Sequence, residues 1–102
     1  MTLNANTNGT VTVTGNYHII DTYNTQSAGN LNWINGGYVN QRVTFTLLNS
    51  GRVVTFKDNA ASLANGNINI GADYVPGSSL AAGKASITLI YTGTDWKLVA
   101  KD

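Results

Sequence analysis

The chain has no cysteine and no glutamate, and only one proline and one histidine among its 102 residues. Without cysteine there can be no disulfide, no thiol nucleophile and no Cys-based zinc or iron–sulfur site. With His18 as the sole imidazole, a multi-His metal site cannot be built within one chain, although a three-fold oligomer would bring three copies together. Charge is scarce as well: six Lys and Arg face five Asp, for a net charge of +1 and a charged fraction of 11%. That is less than half the usual quarter. No basic stripe is present of the kind that releases counterions from a phosphate backbone, so a nucleic-acid partner is not expected. Apolar runs stop at three residues, as in Leu89-Ile90-Tyr91, which is far too short for a membrane-spanning helix. The opening MTLNANTNGT has neither the basic nor the apolar region of a secretory leader. A hydrophobic fraction of 42% with so little net charge also argues against disorder.

What is abundant is Asn, Thr and Gly, together 38 residues. Thr is β-branched and suits a pleated surface, while Asn and Gly supply the positive-φ positions of turns. Period-two alternation follows. Thr10–Thr14 places its valines on one face, and Val43, Phe45 and Leu47 share a face opposite Arg42, Thr44 and Thr46. Ile87, Leu89 and Tyr91 alternate likewise, as do Trp96, Leu98 and Ala100, and Asn67–Ile70 repeats the pattern. The fold class read from this is all-β: a compact antiparallel β-sandwich or a short β-solenoid-like module. One domain is expected over 1–102, with 1–8 as a flexible lead-in and no internal repeat evident from self-similarity. The expected core is Val43, Phe45, Leu47, Phe56, Ile87, Leu89, Trp96 and Leu98. Asn49-Ser50-Gly51 reads as a hairpin loop with Gly51 left-handed, and Thr92–Asp95 as a second hairpin. Ala60–Ala64 could form a helical turn capped by Asn59, and Tyr74–Lys84 a loop or covering arm.

Candidates for chemistry are few. His18 shares a strand face with Ile20, and Tyr17, Ile19 and Asp21 share the other; a half-buried strand histidine explains it as simply as a catalytic base would. A small Ser/His self-processing domain would draw its nucleophile from Ser27, Ser50, Ser62, Ser78, Ser79 or Ser86, none of which lies in a nucleophile-elbow pattern. A carboxylate pair for glycoside hydrolysis reduces to Asp21 and Asp73, with nothing in their spacing to support it. No glycine motif cradles phosphate. The chain is therefore expected not to be an enzyme and to need no cofactor or metal. A carbohydrate-binding surface is the alternative, since exposed aromatic rings stack on apolar sugar faces. Its candidates are Tyr38, beside the diglycine, Tyr74 with neighbouring Asp73, and Trp33 between Asn32 and Asn35. Trp33 also shares a strand face with Leu31, which is the pattern of a core residue. Low charge leaves little to deter strand edges from pairing, which suits a protein whose edges and Thr-covered faces are occupied by its own copies.

Several segments in order carry a resemblance. Asn30–Gly37 (NLNWINGG), Gln41–Phe45 (QRVTF) and Gly51–Asp58 (GRVVTFKD) are followed by Gly66–Ile70 (GNINI) and the closing SITLIYTGTDWKLVAKD. With the opening TVTVTGNYHIIDTYN, this series resembles the C-terminal and stem modules of bacteriophage tail fibres and tailspikes, over about residues 9–101. Asn40 stands where such modules lead one to expect glycine, and a left-handed turn can use Asn there. The resemblance implies a homotrimeric, β-rich and non-catalytic virion part. It would be joined to the rest of a longer fibre chain, made in the host cytoplasm and extracellular after lysis. It also implies a host-attachment role that can include cell-surface polysaccharide.

Overall fold

The computed structural model describes residues 1–48, 51–61, 65–76 and 86–101. Among these residues eight strands follow one another: β1 (Gly9–Thr12), β2 (Tyr17–Ile20), β3 (Ala28–Asn35), β4 (Arg42–Leu47), β5 (Val53–Phe56), β6 (Asn67–Asn69), β7 (Ser86–Tyr91) and β8 (Asp95–Lys101). A single 3-10 turn, Tyr23–Thr25, lies between β2 and β3. The protein is all-β, and its first half coils as a short β-solenoid of about three turns.

Each turn contributes one segment to each of two parallel stacks. In the first stack Thr2 bridges Asp21 in parallel, and β2 pairs in parallel with β4, Ile20 opposite Leu47. In the second, β1 pairs in parallel with β3, and β3 with β5, Ala28 opposite Val53. The expected lead-in over residues 1–8 is thus the opening of the first turn. The Met1 ammonium donates to Ile19 O, Leu3 N donates to Asp21 O, and the Leu3 side chain is buried. Parallel pairing between successive turns also replaces the sandwich alternative.

The third turn is closed by antiparallel strands. β7 lies along β4, with Val43 opposite Leu89, and β8 lies between β7 and β6. β6 pairs with β3 at Trp33–Asn67, and Tyr74 bridges the free side of Phe56. The closing segment thereby joins the two stacks into one sheet with the order β1-β3-β6-β8-β7-β4-β2. The hairpin expected around 49–51 is not supported by its flanking strands, which do not pair with each other. Residues 49 and 50 lie outside the described residues, but β4 pairs with β2 and β7 whereas β5 pairs with β3. The Thr92–Asp95 hairpin is present, with Thr92 N donating to Asp95 O at 2.9 Å. The expected helical turn at 60–64 and the arm at 74–84 fall partly outside the described residues.

The core lies between the stacks. Val43, Phe45, Leu47, Phe56, Ile87, Leu89 and Trp96 are buried, with Leu3, Ile20, Leu31, Ile34 and Ile68 among them. Phe45 of the first stack meets Phe56 of the second edge-on, ring centroids 5.3 Å apart. Trp96 packs on Tyr91 at 4.9 Å, and its indole N–H donates to Ile34 O at 3.0 Å, so the closing hairpin is tied to β3. Gly37 allows this packing: a Cβ there would lie 2.6 Å from the Trp96 ring.

Leu98 departs from its expected place in the core, being 37% exposed. Leu89 pairs with Leu98 but Thr88 pairs with Ala100, so Val99 is an extra residue in β8. Leu98, opposite Leu89, keeps the facing of Trp96 but sits at this bulge, where the strand bends.

Candidate functional site

His18 stands half-buried in β2, its ring 6.1 Å from that of Phe45. Its Nε2 accepts from Thr14 N at 3.2 Å, which requires the neutral ring. Burial, followed by the N-terminal ammonium charge, holds the imidazole below its ordinary pKa, against a hydrogen bond with the Gly15 backbone. No serine or aspartate is recorded bonding His18 among the described residues. Its geometry is that of a strand histidine which pins the Thr14–Asn16 corner.

Four aspartates are described, and each is engaged in holding backbone or a neighbouring side chain. Asp21 takes the Arg52 guanidinium at 2.8 Å and its own neighbour's N–H, from Thr22. Asp58 accepts from Ile70 N and Gly71 N, fastening the chain after β6 to the end of β5. Asp73 accepts from the Lys57 ammonium at 2.6 Å and from Asp58 N, and these bonds, Lys57's first, hold its carboxyl below the usual range. Asp95 is held low chiefly by the Thr92 hydroxyl at 2.6 Å, then by Asn69 and Lys97, against an opposing effect of burial. The proposed pair Asp21 and Asp73 therefore answers to separate partners, Arg52 and Lys57.

The four glycan candidates have different surroundings. Tyr38 is the most open, 62% exposed beside Val39 at 60%. Tyr74 is half-buried; it bonds the Phe56 backbone in both directions, and the Lys101 ammonium stands 5.0 Å from its ring centre. Asp73 is exposed and committed to Lys57. Trp33 lies off the core face. Gly9 pairs with Leu31 while Thr10 pairs with Trp33, so Asn32 is the extra residue in β3, and the inward positions become Leu31 and Ile34. The Trp33 indole instead covers Gly66, where an added Cβ would lie 2.7 Å from Nε1. That nitrogen is buried with no hydrogen-bond partner among the described residues.

The sequence marked Thr44 and Thr46 as one Thr-covered face but not the surface they build with Tyr17 and Ile19, the outer face of β2, β4 and β7. One row across it is Ile19, Thr46 and Ser86, and the next is Tyr17, Thr44, Thr88 and, on β8, Ala100. Hydroxyls pair along the face, Thr44 with Thr88 at 2.8 Å and Tyr17 with Thr46 at 2.9 Å. Satisfied internally, these polar groups make the face less hydrophilic than its composition suggests. Tyr17 is 57% and Ile19 43% exposed over it. Neither row contains a charged residue. Charge returns in the flanking row, Arg42, Ile90 and Lys97. Alternation of Tyr17 and Ile19 opposite a buried Ile20 was the available signal.

Comparison with protein-family models, with curated proteins and with solved structures found no match to this chain. These comparisons give no link to phage tail fibres.

Proposed function

We propose that the chain is a non-catalytic structural and attachment module of the tail-fibre or tailspike type, acting as a homotrimer. The supporting observation is the pair of charge-free rows on the outer face, bearing exposed Tyr17 and Ile19. Removing those side chains from water would stabilise association at about 25 cal/mol for each Å² of apolar area buried. Three copies sharing this face would tie folding to assembly, since stability then depends on concentration. Light scattering after size exclusion at low micromolar concentration is expected to give about three times 10.8 kDa. The variant Ile19→Lys places a charge on the face without disturbing a buried side chain, and should yield a folded monomer. A monomeric wild-type chain would overturn the reading.

A second reading, a carbohydrate-binding module for a host surface polysaccharide, is favoured by one observation, the open Tyr38 ring. In a trimer, weak sites repeated three times would gain avidity. Binding to a glycan array that is lost in Tyr38→Ala would support it. Silence of the wild-type protein at high concentration would remove it.

A further inference from the structure

The sequence has three Asn-Gly pairs, Asn8-Gly9, Asn35-Gly36 and Asn65-Gly66. Such pairs can convert without an enzyme, because glycine has no Cβ to shield its backbone nitrogen. That nitrogen, after losing its proton to hydroxide, attacks the Asn side-chain carbonyl carbon. The new C–N bond closes a succinimide as the bond to Nδ2 breaks and ammonia leaves. Water then opens the ring at either carbonyl, giving aspartate or isoaspartate.

The fold treats the three pairs differently. Gly66 is buried and bonded on both sides, its N–H to Thr94 O and its carbonyl to Ile34 N, each at 2.9 Å. It also lies under Trp33 and against Ile34 O, which a Cβ would approach to 2.3 Å. Attack at Asn65 must break both bonds and lift the glycine out of its seat. At Asn8 the side-chain oxygen that attack would disturb accepts from Asn32 Nδ2 at 2.8 Å, and Gly9 is buried against Asn30 O. Gly36 is also approached by backbone, a Cβ there lying 2.8 Å from Val13 O. Yet Asn35 and Gly36 are both exposed, and among the described residues neither the Asn35 side chain nor Gly36 N makes a hydrogen bond. The rotation that brings nitrogen to carbonyl carbon there releases the bond from Val13 N to Asn35 O, at the end of the β1–β3 ladder.

We infer that Asn35-Gly36 is a site of spontaneous deamidation, left open by the fold while Asn8-Gly9 and Asn65-Gly66 are locked. Conversion takes the formal net charge from +1 to 0. In the isoaspartate product the carbonyl that receives Val13 N–H becomes a side-chain carboxylate, so the last rung between β1 and β3 is rebuilt.

The test is incubation of the folded protein at mildly alkaline pH, with isoelectric focusing and peptide mapping by mass spectrometry over time. Acid at Asn35 is expected to accumulate at least about tenfold faster than at Asn8 or Asn65, the ratio expected when those two need local opening before attack. In denaturant the three rates should come together, and Asn35→Gln should remove the early acidic species. Conversion of Asn8 or Asn65 at a rate equal to that of Asn35 in the folded chain would overturn the inference. So would an unchanged Asn35 after the denatured control has converted.

Discussion

The coiled half of the molecule, up to Lys57, and the closing half, from Asn65 onward, solve the same problem with different residues. Named strands in the coil pair with one another only in parallel, turn upon turn, whereas the closing strands make the antiparallel contacts that end the stack. Left-handed positions in the coil fall mainly on asparagine: Asn8, Asn24 and Asn40, with φ of 56, 50 and 69°. In the closing half they fall on Gly66, Gly71 and Gly93, with φ of 115, 93 and 104°. A corner in the coil can use a side chain, as Asn8 does in accepting from Asn32, and Asn tolerates the left-handed region. At Gly66 the chain passes so close to Ile34 and Trp33 that no side chain fits. The lesson is that a stack built by repetition still needs one tight, irregular junction to end it.

The severest way to break this arrangement is Trp96→Ala, since Trp96 belongs to the closing half yet bonds Ile34 of the coil. Its loss should cost about 3–5 kcal/mol of stability in denaturant unfolding; an unchanged midpoint would show that the junction does not depend on it. Within the closing half, Leu89→Ala should cost about 2–5 kcal/mol, because the side chain is fully buried. Leu98→Ala, on the bulged and exposed end of β8, should stay within about 0.5 kcal/mol. Equal losses from the two would contradict the bulge at Val99. Gly66→Ala introduces a Cβ against backbone at an unfavourable φ and should cost about 1–3 kcal/mol, measured by thermal unfolding.

The gentlest probe belongs to the coil. His18 is held neutral in the folded chain, its pKa lowered from 6.5, so the unfolded chain takes up the proton first as pH falls. Stability is full above that value and declines as pH drops through it. Unfolding midpoints at about pH 7.5 and about pH 5 should differ in the native sequence and differ less in His18→Gln. Equal pH dependence in the two would assign the effect elsewhere.

Much of the strand content was readable. Alternation marked Val43, Phe45 and Leu47 in β4 and Ile87, Leu89 and Tyr91 in β7, because one face of each strand is buried and the other is not. Asn40, standing where the resemblance leads one to expect glycine, is left-handed, as Asn chemistry allows. The pairing of turns was not. Thr2 pairs with Asp21 and Ile20 with Leu47, offsets of 19 and 27 residues, so the coil repeats in space without repeating in sequence. Bulges were equally invisible. One extra residue reverses which side chains face inward, and Asn32 took Trp33 off the core face in this way, while the extra Val99 bends β8 where Leu98 reaches the surface. The outer face of Tyr17 and Ile19 acquires meaning only when β2 is known to lie beside β4.

The placement of β8 carries a mechanical consequence. It is flanked by β7 on one side and β6 on the other, while residues 1–3 pair, among the described residues, only with the segment that includes Asp21. Tension applied through β8 would load bonds on both flanks together, in shear. Tension applied through residues 1–3 would meet one flank, whose few bonds can open one after another, as in peeling. The molecule should therefore yield from its first turn inward, at a force set by that edge, while its closing hairpin still holds.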